Sequence, residues 1–399
     1  MALYSGDLQN ESDIKLAIIC TEKLPSPAIK GGAIQMMIDG VTPFLKEKYK
    51  LTIFSVADEE LADREIVDGV HYIRFPRNEY RHHVANELTL HHFDLIHVCN
   101  RPKNVLLYHQ SSPQSKFVLS LHNEMFAAHK LSDEEGAEVV ETLSAVTTVS
   151  NFIKKTVVER FPEAEKKISV VYSGVDLESF PLRQTMVGQQ IRNNFRKRYN
   201  LEDKKVILFV GRLSKTKGPH ILIKSMEQLL KVHKDLVLLV VGGKWFSDNR
   251  MNKYVYSLYK QALPFKEKII FTKYIPSDFI NEAFLGGDVF VCSSQWNEPL
   301  ARVHYEAMAA GIPVITTNRG GNSEVILHRY NGLIINDYNN PTAFSKAIHY
   351  CLTEPELTSR MCHNGRRFIE INFTYRHVYE RLIRVYDQVI SSVSPPIET

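Results

Sequence analysis

Ile14-Lys-Leu-Ala-Ile-Ile-Cys20 opens a pattern that the rest of the chain repeats. A short apolar run is followed by a loop holding glycine or proline, and then by a stretch of helical periodicity. Continuous apolar runs of this length suit strands buried on both faces, with the intervening helices as their cover. Further strands are expected at 51–56, near 70–74, and at 94–98, 117–121, 145–149 and 168–172. Helical stretches lie at 33–46, 87–92, 133–142 and 151–160. After a linker at 174–181 the pattern restarts at Val206-Ile-Leu-Phe-Val210 and continues through strands at 236–241, 269–271, 288–293 and 333–335. Helices are expected at 218–232, 252–262, from 277, and at 303–310, 341–352, 356–372 and 375–393, the last one amphipathic. Strand and helix alternating in this way predict an α/β fold of doubly wound parallel sheets. A chain of 399 residues can bury two cores, and the break divides it into domains at 14–176 and 182–373.

Charge removes some function classes. A net charge of +4 over this length gives no stripe for nucleic acid. Residues 183–205 concentrate basic side chains, but Arg192, Arg196, Lys197 and Arg198 at helical spacing read as a solvated helix face. The five cysteines show no C-x-x-C pairing, and three sit in strand-like runs, which fits a reducing cytoplasm. The lead at 1–13 is polar, without the charged-then-apolar order of a secretory signal. No apolar run reaches the roughly 18 to 20 residues of a membrane span, so any membrane contact is expected to be peripheral.

The chemistry gathers at strand ends. Glu298 lies in the loop after the run 288–293, and Glu306 on the helix that follows. A loop acid can reach the reactive end of a ligand, while a helix acid accepts hydrogen bonds from hydroxyls further along it. The alternative is that Glu298 caps the helix and Glu306 is a surface charge. In Gly211-Arg-Leu-Ser-Lys-Thr-Lys-Gly218, Arg212 can fork two donors onto phosphate oxygens and Lys217 supplies a mobile charge. The same segment also reads as a basic turn capping a helix. Close-approach turns recur at Gly31-Gly32, Gly242-Gly243 and Gly320-Gly321. Together with the two cations and two acids they describe a crevice for a diphosphate carrying polyhydroxylated groups. The P-loop and dinucleotide fingerprints are both absent. His122, just past the run 117–121, would face the crevice and hydrogen-bond a hydroxyl or assist proton movement; a histidine satisfied by a carbonyl is the other reading. The pairs His82-His83 and His91-His92 lack acids at ligand spacing and read as surface residues.

Gly211-Arg-Leu-Ser-x-x-Lys-Gly218 and Glu298-Pro, followed by Glu306-Ala-Met-Ala-x-Gly311-x-Pro-Val, resemble the signature of the family 4 retaining glycosyltransferases. Gly31-Gly32, Val149-Ser-Asn151 and Ser173-Gly-Val-Asp176 extend the likeness over almost the whole chain. Within that family, Thr21-Glu-Lys-Leu-Pro25, Val98-Cys-Asn-Arg-Pro102, His122-Asn-Glu-Met-Phe126 and the stretch from Trp296 to Tyr305 resemble spore-coat-associated members. The resemblance implies a GT-B fold, two Rossmann-like domains facing across a cleft, with the helix at 375–393 crossing back to the first. It implies a nucleotide-sugar donor bound mainly by the second domain, with no cofactor and no catalytic metal. By the same likeness Arg212 and Lys217 hold the diphosphate, Glu306 the ribose and Glu298 the sugar, with Leu300, Ala301 and Gly242 lining the donor site. His122 would touch the transferred sugar, and Gly31 and Gly32 would approach the phosphates. The family's common Glu-Pro-Phe-Gly stands here as Glu298-Pro-Leu300-Ala301. Alanine has less backbone freedom than glycine, which affects the amides facing the sugar. Arg302 and His304 are departures expected to add charge beside the donor.

The expected activity is retaining transfer of a hexose-type sugar from a nucleotide diphosphate, with UDP favoured. The acceptor, a glycan, lipid or protein, would enter near Gly31-Gly32 and residues 100–103, in spore-coat or cell-surface glycan synthesis. Cytoplasmic placement, with spore-coat or peripheral membrane association, accompanies this reading. A structural coat protein that keeps the fold with little turnover is the alternative. A nicotinamide dehydrogenase shares the architecture but would need the missing fingerprint.

Overall fold

A computed structural model describes residues 13–245 and 249–391. Positions 1–12 of the polar lead, and 392–393 of the expected last helix, lie outside the described residues. The first sheet holds β1 (Lys15–Ile19), β2 (Lys50–Val56), β3 (Arg64–Val67), β4 (Val70–Phe75), β5 (Leu95–Cys99), β6 (Lys116–Leu121), β7 (Ala145–Thr148) and β8 (Ile168–Val170). Their spatial order is β3-β4-β2-β1-β5-β6-β7-β8. The second sheet holds β9 (Lys205–Val210), β10 (Leu236–Val241), β11 (Ile269–Lys273), β12 (Val289–Cys292), β13 (Val314–Thr317) and β14 (Leu333–Ile335). Here the order is β11-β10-β9-β12-β13-β14.

Alternation along each strand divides its side chains between two apolar layers. Ala17 and Ile19 of β1 pack with Val98 and Leu119, whereas Leu16 and Ile18 pack on the other face with Met37 and Ile38. In the second sheet Val206 and Leu208 enter one layer, Ile207 and Phe209 the opposite one. Helices therefore cover both faces of each sheet, as the apolar runs require.

The pairing of β3 with β4 is antiparallel, unlike the others described, and was not foreseen. Arg64–Val67 is a mostly exposed edge strand, turned by Asp68-Gly69 with φ of 50° and 80°. An Asp-Gly pair with both φ positive is the usual geometry of a two-residue hairpin. The helix foreseen at 87–92 instead spans Tyr80–Leu90, and Pro102–Ser111 forms a helix that was not foreseen.

Arg192 and Arg196 do not form a solvated face. Asp288, just before β12, accepts from Arg183 at 2.8 Å, Arg192 at 2.7 Å, Arg196 at 3.1 Å and the Val206 amide at 2.8 Å. Arg192 also donates to the carbonyls of Leu285, Gly286 and Gly287, which close the helix Ile280–Gly286. With Arg183 on the Gly287 carbonyl and Arg196 on that of Gly286, three arginines satisfy carbonyls left free at a helix end.

The chain crosses between the sheets twice, side by side. Val175 donates to the Phe373 carbonyl at 2.9 Å and bridges Thr374. Helix Tyr375–Ser391 then returns to the first sheet and inserts Val378, Leu382, Val385 and Tyr386 into the layer holding Leu16 and Ile38. In each sheet one central strand has neighbours built on opposite sides: β1 lies between β2 and β5, and β9 between β10 and β12. Beyond the carboxyl ends of such strands the loops part and leave a crevice.

Candidate active site at two strand switch points

Because β9 and β12 are neighbours, the loops that follow them run together. Gln295 donates its amide to the Thr216 carbonyl at 2.7 Å, and Ser293 Oγ donates to the Lys217 carbonyl at 3.1 Å. Gly218 makes this approach possible: its φ is 72°, and a methyl group there would stand 2.1 Å from the Ser293 carbonyl oxygen. Gly218→Ala is therefore expected to cost about 1 to 3 kcal/mol of stability and to displace Lys217. Urea unfolding checks the first expectation; an unchanged midpoint would show that the loops separate freely.

That junction sets Lys217 Nζ 2.5 Å from Glu298 Oε1, which also accepts from Ser294 Oγ at 2.5 Å. Glu298 is 3% exposed. Burial pushes its carboxyl up, but the Lys217 ammonium and the hydrogen bonds outweigh burial and hold it below the usual glutamate value. Glu298 is thus an ion-paired loop acid and does not cap a helix. Arg212 places its guanidinium 4.5 Å from the Trp245 ring centre. Burial lowers its pKa, against the opposing pull of the Glu298 carboxylate. Gly242, in the turn after β10, donates to the Lys273 carbonyl at 3.0 Å, while Gly243 accepts from the Leu213 amide at 2.8 Å.

Glu306 lies on helix Val303–Ala309 and is almost fully buried. Burial raises its carboxyl, and Arg302, one turn earlier at 3.3 Å, opposes that rise. Leu300 is half-buried against the core of the second domain. The Ala301 amide lies 3.4 Å from Asn322 Oδ1. His304 departs from expectation. It donates from Nδ1 to the Ala301 carbonyl at 2.9 Å and accepts at Nε2 from Thr316 at 2.8 Å. Full burial lowers its pKa to about 4, so it adds no charge beside the site at neutral pH.

The first sheet supplies the opposite wall. Gly31 and Gly32 precede helix Ala33–Leu45, and a methyl group at Gly31 would lie 3.8 Å from the Tyr274 hydroxyl of the second domain. His122, at the end of β6, donates its amide to Asn100 Oδ1 at 3.0 Å. Burial pulls its imidazole pKa down to about 4. Its Nε2 has no hydrogen-bond partner among the described residues, so a carbonyl does not satisfy it. A neutral ring suits hydrogen bonding better than carrying a proton near pH 7. Arg101 forks onto both oxygens of Glu22, at 2.8 and 2.6 Å, after β5. The two histidine pairs at 82–83 and 91–92 are exposed. No group of three or more His, Cys, Asp or Glu that could hold a metal ion occurs among the described residues.

Sequence reasoning missed Ser294, whose hydroxyl reaches Glu298 four residues on, and Trp245, which meets Arg212 from a different loop. It noticed Gly320-Gly321 ahead of Asn322-Ser-Glu324 but gave Glu324 no role. Glu324 accepts from the amides of Asn151 and Phe152 at 2.7 and 2.8 Å and from the Tyr172 hydroxyl at 2.9 Å. A carboxylate of the second domain thereby caps helix Asn151–Val158 of the first.

Comparison with known proteins agrees with this geometry. Residues 191–368 match the Glycosyl transferases group 1 family, and residues 34–179 match Glycosyltransferase Family 4. The chain is 59% identical over 378 residues to the putative glycosyltransferase YtcC of Bacillus subtilis (strain 168), covering 95% of this chain and 93% of that one. It is 45% identical over 375 residues to Spore coat protein SA of the same organism, covering 94% and 100%. Among solved structures, Anabaena Alr3699/HepE in complex with UDP-glucose superposes with a TM-score of 0.75 at 20% identity, covering 94% of this chain and all of that one. Sucrose-phosphate synthase from Thermosynechococcus elongatus gives 0.78 at 19% identity, covering 95% and 100%. Two doubly wound domains and these superpositions bear out the GT-B expectation.

Proposed function

The chain belongs to the family 4 glycosyltransferases of group 1, and on that footing we propose that it transfers a hexose-type sugar from a nucleotide diphosphate, UDP in the first place, to an acceptor hydroxyl with retention of configuration. The observation that carries this reading is the Lys217–Glu298 pair beside Arg212, at the second switch point. In the reaction the bond from the anomeric carbon to the diphosphate oxygen breaks, and the acceptor oxygen bonds that carbon. The acceptor proton passes to the released diphosphate. Negative charge therefore grows on the diphosphate, where Arg212 and Lys217 stabilise it without calling on a metal. Glu298, kept ionised by Lys217, accepts hydrogen bonds from sugar hydroxyls, and Glu306 accepts them from the ribose. Leu300, Ala301 and Gly242 border the donor. Neutral His122 meets the sugar from the opposite wall, and the Gly31-Gly32 turn lets the acceptor approach.

UDP is preferred because the HepE structures hold UDP and UDP-glucose. Family membership supports retention. Cytoplasmic action, with a peripheral membrane or coat association, completes the proposal; among the described residues no helix is long and apolar enough to cross a membrane. The name of the relative Spore coat protein SA favours a second reading, a coat component with little turnover.

A thermal-shift panel of nucleotide sugars separates the two. At a ligand concentration of 100 times Kd, binding adds about 2.7 kcal/mol, enough to raise the melting temperature by several degrees. A rise with one UDP-sugar that disappears in Lys217→Ala is the expected result. Silence with every nucleotide sugar in folded protein would move the assignment to the coat component.

A further inference from the structure

Arg302 occupies the joint between the Glu298 loop and the Glu306 helix, and its side chain is 11% exposed. One end of the guanidinium, Nη2, reaches Glu306 Oε1 at 3.3 Å. The other, Nη1, reaches Ser173 Oγ at 3.4 Å, the Gly174 carbonyl at 3.1 Å and the Tyr375 hydroxyl at 3.3 Å. Ser173 and Gly174 belong to the first interdomain crossing, Tyr375 to the second. A single side chain therefore holds a site carboxylate and both interdomain crossings.

The contact continues. The Tyr375 ring lies so close to Gly40 that a methyl group there would stand 2.3 Å from it. Gly40 is in helix Ala33–Leu45, which starts at the Gly31-Gly32 turn on the far wall of the cleft. Glu306, Arg302, Tyr375, that helix and the glycine turn form an unbroken physical series from one wall to the other.

We propose that Arg302 and Tyr375 couple filling of the Glu306 site by the donor's ribose to seating of the Gly31-Gly32 turn, so that donor binding closes the cleft. This rests on Glu306 as the ribose site. Ribose hydroxyls on Glu306 fix its carboxylate, and with it the guanidinium that clamps the crossings. Conversely, a hinge angle that brings Tyr375 and Gly174 to Arg302 orients Glu306 for the nucleotide. The two effects are equal by linkage. Arg302 and Tyr375 are positioning residues in this scheme.

Calorimetric titration with UDP, ADP and GDP, and solution scattering with and without the nucleotide that binds, test the coupling. Arg302→Met and Tyr375→Phe are each expected to weaken binding about fivefold or more and to abolish nucleotide-induced compaction. The double variant should bind no more weakly than Arg302→Met, because both act along one path. Arg302→Lys keeps the charge but not the fork, so it should recover part of the affinity and none of the compaction. If Tyr375→Phe binds and compacts like wild type, Arg302 serves Glu306 alone and the coupling is wrong. If wild type binds no nucleotide, the donor-site reading itself falls, a result distinct from failure of the coupling.

Discussion

Lys217→Ala is expected to reduce donor turnover about a thousandfold while leaving the circular dichroism of the protein unchanged. Removing one preorganised donor from the position of a developing negative charge typically costs roughly 100- to 1,000-fold. Lys217 stands at the upper end because it also sets the ionisation of Glu298. With Lys217 present, the folded carboxyl titrates below its ordinary value. The pair's contribution to stability is therefore complete above about pH 4.3, the unfolded value, and is lost as pH falls through the lowered folded value. Because Glu298 is already ionised there, wild-type turnover should show no dependence on its titration near neutral pH. In the variant the burial that opposes ionisation has lost its main counterweight, so the carboxyl titrates higher. Residual hydrolysis of the donor should then keep rising with pH through a range where wild type is flat. A pH profile of both proteins measures this, and wild-type turnover in Lys217→Ala would remove the residue from the leaving-group role.

The second large effect concerns stability alone. Asp288→Ala leaves Arg183, Arg192 and Arg196 clustered without their carboxylate and orphans the Val206 amide. Breaking a buried charge pair from one side costs about 3 to 5 kcal/mol, and the like charges left behind repel. The expected fall in melting temperature is roughly 10 °C for a domain of this size. Asp288 precedes β12 whereas Glu298 follows it, so nucleotide affinity in the surviving folded protein should be unchanged. Asp288→Asn, which keeps an acceptor for Val206 but not the charge, should fall between the two. A melting temperature equal to that of wild type would show that helix-end carbonyls alone hold the arginines.

Periodicity made the parallel strands and most helices readable, because a doubly covered strand needs an uninterrupted apolar run. It also placed Lys217 and Glu298 at strand ends. Their adjacency is a property of strand order, β9 beside β12, which no local pattern encodes. Arg192 shows the same limit: its helical spacing was visible, but its partner Asp288 lies 96 residues further along the chain. His304 was misjudged because a histidine next to two acids reads as a charge, until Thr316 and the Ala301 carbonyl are seen to enclose it. β3 escaped for a simpler reason. Its exposed, charged residues carry no apolar run, and only Asp68-Gly69 announced the hairpin.

The helix Tyr375–Ser391 belongs to the core of the first domain yet is encoded after the second. A ribosome delivers the first sheet, and after it the whole second domain, before the segment that covers Leu16, Ile18 and Ile38 exists. Until then helix Ala33–Leu45 covers only part of that face, and the rest offers aliphatic surface of the kind that drives aggregation. The second domain, complete by residue 373, can fold first. The order of folding in the cell is therefore expected to reverse the order of synthesis.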